Sequence, residues 1–390
     1  MTAGSIAAGN MSVATQLILS DEQILLRDSV DAYLRDHCNF EQRQHAVKTD
    51  VGFCEQRWHQ FAELGWLGLP ISESNDGFDG GPVETALLFE ALGRHLVPEP
   101  YLETVLLAGG LLEHASATQR RRWLPGIIAG DLHGALAWSE TQHTQDLQHV
   151  TLHAQREKGG WVLNGAKKNV VNASAAAVLI VTARTAGDAR ARNGISLFAV
   201  PAHTVGVSRR DYRSFDGRTA ADINFAQVLV SDDALIGAQG YGFSLLRGAI
   251  DRAQLALCAE AVGIMARLNE TTVNYARERK QFGQPIGKFQ VLQHRMADMY
   301  MAYELTLSLL WATAHACANN SSDAPRLLTA LCAKVGKSAR YIGQNALQLH
   351  GGIAMTDELD VGHCFKRLTL IENLFGTTDH HLRRFSELSR

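Results

Sequence analysis

Arg279-Lys280-Gln281-Phe282-Gly283-Gln284-Pro285-Ile286-Gly287-Lys288-Phe289-Gln290, followed by Ala297-Asp298-Met299, stands between long helical patterns. On its N-terminal side Ile250, Leu257, Ala261, Ile264 and Leu268 keep helical spacing. On its C-terminal side two further helical stretches fill 290–319 and 323–349. The spacing predicts an up-and-down four-helix bundle over residues 242–390.

Toward the N-terminus the texture changes between residues 132 and 241. Short runs rich in Val, Ile and Thr, such as Val178 to Thr182, Ile195 to Val200 and Val228 to Val230, alternate with Gly159-Gly160 and Asn164-Gly165. An antiparallel, barrel-like β-domain is expected there. Residues 20–131 return to helical spacing. Ser20 and Gln23 have capping-box separation, and Leu26, Val30, Tyr33 and Leu34 share one face. Further stripes at Trp58, Phe61 and Ala62, at Leu87, Leu88, Ala91 and Leu92, and from Leu106 to Leu112 are broken by Gly65, Pro70 and Pro98. Residues 1–19 are small and polar, and a flexible tail with Met11 as an alternative start is expected. The fold class is α+β.

The 390 residues suffice for two or three segments packed as one unit. A formal charge of -3 gives no basic field for nucleic acid. Cys38, Cys54, Cys258, Cys317, Cys332 and Cys364 are scattered without a CxxC pair, so reduced thiols and no metal site are expected. No Lys or Arg precedes Arg27, and no apolar run approaches membrane-spanning length. The expectation is a soluble cytoplasmic protein without membrane insertion.

A second stretch, Gln348-Leu349-His350-Gly351-Gly352, accompanies the first. Together they resemble signature segments of the acyl-CoA dehydrogenase family, and the resemblance covers roughly residues 20–390. Trp138-Ser139-Glu140, Asn164-Gly165-Ala166-Lys167 and Leu235-Ile236-Gly237 are weaker matches. The segment Cys258 to Gly263 and the tail from Leu374 to Leu382 are similar to a branch typified by the small subunit of pimeloyl-CoA dehydrogenase, whose members pair with a related subunit.

The resemblance implies dehydrogenation of an acyl-CoA thioester. A carboxylate takes the α-proton, hydride passes to FAD, and electrons continue to an electron-transfer flavoprotein, in the degradation of fatty or dicarboxylic acids. It implies that Arg279 faces the FAD diphosphate and that Gln290 and Gln348 meet the adenosine half across a subunit interface. Gly351 and Gly352 permit close approach. Phe282 and Phe289 are expected as core packing with some contact at the flavin edge, Trp138 as a buried aromatic, and Trp138 and Ser139 on the flavin side. A homo- or hetero-oligomer, dimer or tetramer, follows.

The sequence departs from the family pattern at the carboxylate. The usual Tyr-Glu-Gly-Thr-like turn reads Leu374-Phe375-Gly376-Thr377-Thr378, placing Gly376 or Phe375 at the position of the base. The alternative position, on the first helix of the bundle, is Ala253, with Gln254 where an arginine often follows. A Gly-, Ser- and Pro-rich family loop is replaced by Thr141 to Asp146, Asn169 and Val171 stand where an aromatic and a threonine usually approach the flavin, and Ala354 replaces a glycine. Asp379, Glu372 and Asp251 are the remaining acids near these places, Asp379 being the weak candidate for a relocated base. Three readings follow: one subunit of a heteromeric enzyme whose partner supplies the base, a self-sufficient dehydrogenase or oxidase with a relocated acid, or a non-catalytic subunit of the same fold.

Overall fold

The computed structural model describes residues 19–140 and 146–389. The expected tail, apart from Leu19, and most of the 141–146 loop lie outside them. Ser20 accepts from the Gln23 backbone N–H and the Gln23 side chain accepts from Ser20 N, so the capping box starts α1 (Asp21–His37). After it come α2 (Phe40–Ala46), α3 (Glu55–Glu63), α4 (Pro82–Arg94), a π-helical run Leu102–Gly109 and α5 (Ala117–Ile128).

Eight strands follow: β1 (His133–Ala137), β2 (His153–Glu157), β3 (Gly160–Val171), β4 (Ala176–Arg184), β5 (Ile195–Pro201), β6 (Val207–Arg213), β7 (Thr219–Ser231) and β8 (Leu235–Ile236). They pair in the order β6-β7-β3-β2-β4-β5-β8, with β1 joined to β4. The β1–β4 pair is parallel, as is the single β2–β4 contact, so the sheet is mixed and not wholly antiparallel. A parallel partner needs a long connection, and the β2–β3 hairpin supplies it. Along β4 the side chains alternate between two cores: Val178 and Ile180 join one shared with the helices, Leu179 and Val181 one inside the sheet with Trp161, Phe198 and Phe225.

The C-terminal segment holds α6 (Gly242–Glu278), α7 (Gln290–Ala318), α8 (Ala324–His350), α9 (Asp360–Asn373) and α10 (Thr378–Leu388). Three long helices are completed by two shorter ones rather than by a single fourth. The middle of α6, from Ala253 to Ala266, is buried all round because α4 covers the face that would otherwise meet solvent. The two backbones touch: a Cβ on Gly263 would lie 1.9 Å from the Glu90 carbonyl oxygen, and one on Gly93 would lie 2.0 Å from that of Glu260. Glycine is therefore required at both crossing points.

A charge network joins all three segments beside this crossing. Arg367 on α9 grips Glu260 on α6 through two hydrogen bonds of 2.6 and 2.7 Å and donates to Asp216 at 3.2 Å. Arg218 lies 3.4 Å from Glu260 and 3.9 Å from Glu103. Arg43 donates to the carbonyls of Asp216 and Leu96 at 2.9 and 3.1 Å. Burial alone would raise the carboxyl pKa values of Glu260 and Asp216, yet Arg367 and Arg218 hold both below the usual range. Arg367→Met is expected to cost about 3–5 kcal/mol, because removing one side of a buried pair strands the other, measured by guanidinium denaturation. The two carboxylates stabilise the fold fully above their unfolded pKa values of about 4, and lose that contribution as pH falls through the folded values. The acid limb of the stability profile should therefore flatten in the variant.

Candidate active site

The residues expected at the site fall into two groups. The first surrounds the turn Leu374–Thr377, between α9 and α10. Thr377 caps α10, its side chain accepting from His380 N. Phe375 has φ +56° and Gly376 φ +137°. A left-handed phenylalanine is strained by roughly 1–3 kcal/mol and persists only where its surroundings over-determine it. Two contacts do so: Gln254 Nε2 on α6 donates to the Phe375 carbonyl at 2.9 Å, and the Trp138 ring packs 5.8 Å from the Phe375 ring. Trp138 itself is half-buried, not enclosed, because it lies just beyond the end of β1. Ala253 is wholly buried in the helical core.

No proton acceptor projects from Gly376. A Cβ there would stand 2.7 Å from His381 Nε2 and 2.9 Å from His380 Cδ2, so the two imidazoles fill the direction a side chain would take. Burial, followed by the neighbouring His380 and Arg247, pushes His381 down to about 4, leaving it neutral at pH 7. The cavity beneath, lined by Gln254, Cys258, Cys332, Gly376 and His381, has a volume of about 20 Å³. That is room for a water and not for an acyl chain. Asp379 is exposed in the first turn of α10, where a carboxylate favours the helix dipole. Glu372 is bonded to Arg340 and Thr378, and Asp251 is paired with Arg247 and Arg384 at 3.1 and 3.6 Å. None of the three is bonded to Gly376.

Behind Trp138 lies a buried ion pair that the two motif matches did not connect. Lys167 Nζ on β3 donates to Glu140 Oε1 at 2.8 Å, and Lys168 N donates to the Ser139 carbonyl at 2.7 Å. Gln254, known from the sequence only as the loss of an arginine, is the donor that holds the turn. These roles depend on neighbours distant in sequence, which no local signal reveals.

The second group gathers where α6 and α8 end. The Tyr275 ring stacks on His350 at 4.4 Å and its hydroxyl donates to the His350 carbonyl, while Arg279 N donates to the Tyr275 carbonyl at 2.8 Å. The end of α6 that precedes Arg279 thus packs on the end of α8 that carries Gln348 and leads into Gly351-Gly352. Gly351 ends α8 with φ +69°, and a Cβ on Gly351 or Gly352 would meet open space. Arg279, Gln290 and Gln348 are exposed, and their side chains make no hydrogen bond among the described residues. A five-donor guanidinium and two amides, all uncommitted, suit the diphosphate and adenosine of FAD. Phe282 is 92% exposed at the tip of the Lys280–Pro285 hairpin, edge-on to Phe289; φ +54° turns it outward, so it is not core packing.

Three family models match the chain in order: acyl-CoA dehydrogenase N-terminal domain over residues 20–131, middle domain over 135–228 and C-terminal domain over 240–387. The mitochondrial 2-methylacyl-CoA dehydrogenase of Solanum tuberosum is 28% identical, across 94% of this chain and 90% of that protein. The mitochondrial short-chain specific acyl-CoA dehydrogenase of Homo sapiens is 29% identical, across 81% and 78%. Among solved structures, PigA with FAD and proline matches with TM-score 0.88 at 26% identity, covering 95% of this chain and 97% of that one. A variant of the Tcur3481–Tcur3483 steroid ACAD matches with TM-score 0.84 at 26% identity, covering 94% and 97%. The described residues contain no helix long and apolar enough to cross a membrane.

The Gly376 corner gives a direct test. Gly376→Ala is expected to lower stability by about 1–3 kcal/mol, through the unfavourable φ and the displaced imidazole, seen as a lower denaturation midpoint. Wild-type stability in that variant would contradict the placement of His381.

Proposed function

Because the chain belongs to the acyl-CoA dehydrogenase family, all three of whose domain models it matches in order, we propose that it is one of two unlike subunits sharing the sites of a heteromeric enzyme. The reaction class is flavin-dependent α,β-dehydrogenation of an acyl-CoA thioester, with FAD as cofactor. When bound, FAD supplies the acceptor for the β-hydrogen. The residues of this chain bind it and set its surroundings: Trp138 and Ser139 on the flavin side, and Arg279, Gln290, Gln348, Gly351 and Gly352 on the diphosphate and adenosine side.

One observation carries the shared site. Gln254, which holds the turn beside Trp138, and Arg279 stand twenty-five residues apart on and at the end of the uninterrupted helix α6. At 1.5 Å per residue that is roughly 37 Å, beyond the reach of one extended dinucleotide. A flavin at Trp138 therefore needs the Arg279–Gln348 surface of another chain. Val291, Tyr300, Met301 and Leu305 are exposed along α7, which begins at Gln290, and such an apolar face suits a subunit contact.

The corner at Gly376 makes the subunits unlike. Removal of an α-proton needs a base within hydrogen-bond reach, and neither Gly376, Phe375 nor Ala253 offers one. The exposed place of Asp379 speaks against a relocated base, so the partner's own corner supplies the carboxylate in this reading. The acyl group is read as medium or long and dicarboxylic, branched or ring-bearing, with an electron-transfer flavoprotein as the onward acceptor and the cytoplasm as the place of action.

Anaerobic bleaching of the flavin by a panel of acyl-CoA thioesters tests this, using the lone chain and the chain co-expressed with a related subunit. The pair should bleach and the lone chain should not; full turnover by the lone chain would sink the division of labour. In the pair, Arg279→Gln is expected to weaken FAD binding about 10- to 100-fold, the loss of charge-assisted hydrogen bonds, as measured by flavin fluorescence on dilution.

A further inference from the structure

Lys167 is 0% exposed, and its ammonium group spends all three N–H bonds: on Glu140 Oε1 at 2.8 Å, on Thr182 Oγ1 at 2.7 Å and on the Trp138 carbonyl at 3.3 Å. Glu140 is equally committed, accepting from Leu152 N at 2.9 Å and Thr151 N at 2.6 Å. One ion pair thus joins β3 to the segment just past β1, the entry to β2 and the C-terminal half of β4. The next residue continues the pattern, since Lys168 N takes the Ser139 carbonyl at 2.7 Å. The peptide planes on either side of Ser139 are therefore both fixed from β3, and with them the Trp138 ring against Phe375.

Stability does not account for this pair. Burying an ammonium and a carboxylate carries a desolvation cost that their attraction roughly repays, and apolar residues of the same volume usually serve a fold equally well. A hydrocarbon, however, cannot hold a carbonyl in a chosen direction.

We propose that Lys167 is a positioning residue for the flavin, fixing the Trp138–Ser139 backbone through the Trp138 carbonyl so that both residues present the geometry the isoalloxazine requires. The inference rests on the flavin reading given under Proposed function. It adds a residue that touches neither cofactor nor substrate and acts one peptide behind them.

The test uses the chain co-expressed with its partner. Lys167→Met alone strands a buried carboxylate. Lys167→Met combined with Glu140→Gln removes both charges and keeps an acceptor for Thr151 and Leu152. The double variant should regain thermal stability over the single one, yet bind FAD about tenfold or more weakly with a shifted visible flavin band. A merely structural pair would recover stability and flavin binding together, so a double variant with wild-type FAD affinity and spectrum overturns the proposal. If the double variant does not fold, Thr182→Val removes one anchor of the ammonium; a several-fold weaker FAD affinity supports the proposal, and unchanged affinity and spectrum overturn it. A wild-type complex that holds no FAD overturns the flavin reading and this inference with it, whereas a flavin-bearing wild type matched by its variants overturns this inference alone.

Discussion

The grip of Arg367 on Glu260 and Asp216 is the constraint on which the rest depends. Each partner comes from a different part of the chain, and none of these charges would tolerate burial alone. Satisfying Arg367 therefore docks α9 on α6, and both on the loop between β6 and β7. The same stretch of α6 presses its backbone against α4 at Gly93 and Gly263, where no side chain fits between the helices. Charge fixes the choice of partners, and the glycines fix their separation. Helix α6 becomes the beam from which both site groups hang: Gln254, in its first half, supports the strained turn, and Tyr275, near its C-terminal end, packs on His350 of α8.

Much of this was legible in the sequence because it is local. The capping box at Ser20 and the helical stripes depend on neighbours a few residues away, and they fold as their spacing predicts. The parallel pairing of β1 with β4 was not legible, since both strands carry the same apolar texture whichever way they run. Phe282 misled for a related reason. Apolarity ordinarily argues for the interior, but a hairpin tip with positive φ turns the ring outward, and such an exposed aromatic suits a contact with another chain.

The candidate site was legible as residue types and not as connections. Arg279, Gln290 and Gln348 could be picked out from their motifs, but the packing of the end of α6 on the end of α8 through the Tyr275–His350 stack could not. Lys167 and Glu140 lay in two separate matches, and only the sheet brings a strand interior against a strand exit. In the sequence His381 stood out only beside His380, as a candidate partner of Asp379 or an improbable metal pair, and neither reading pointed to Gly376. Its part follows from Gly376, whose missing side chain leaves the space the imidazole fills.

That last pairing bears on how the corner at Gly376 is built. A site that had merely lost its base would keep the surroundings of a carboxylate, with room for a side chain at residue 376 and donors aimed into it. Here glycine, the two imidazoles and Gln254 fit one another: the amide holds a left-handed Phe375, the glycine accepts φ +137°, and His381 occupies the direction of the missing Cβ. Mutually consistent local choices mark a specified arrangement and not a decayed one. The corner at Gly376 thus leaves no direction for a side chain, because the imidazoles and the turn held by Gln254 already fill it.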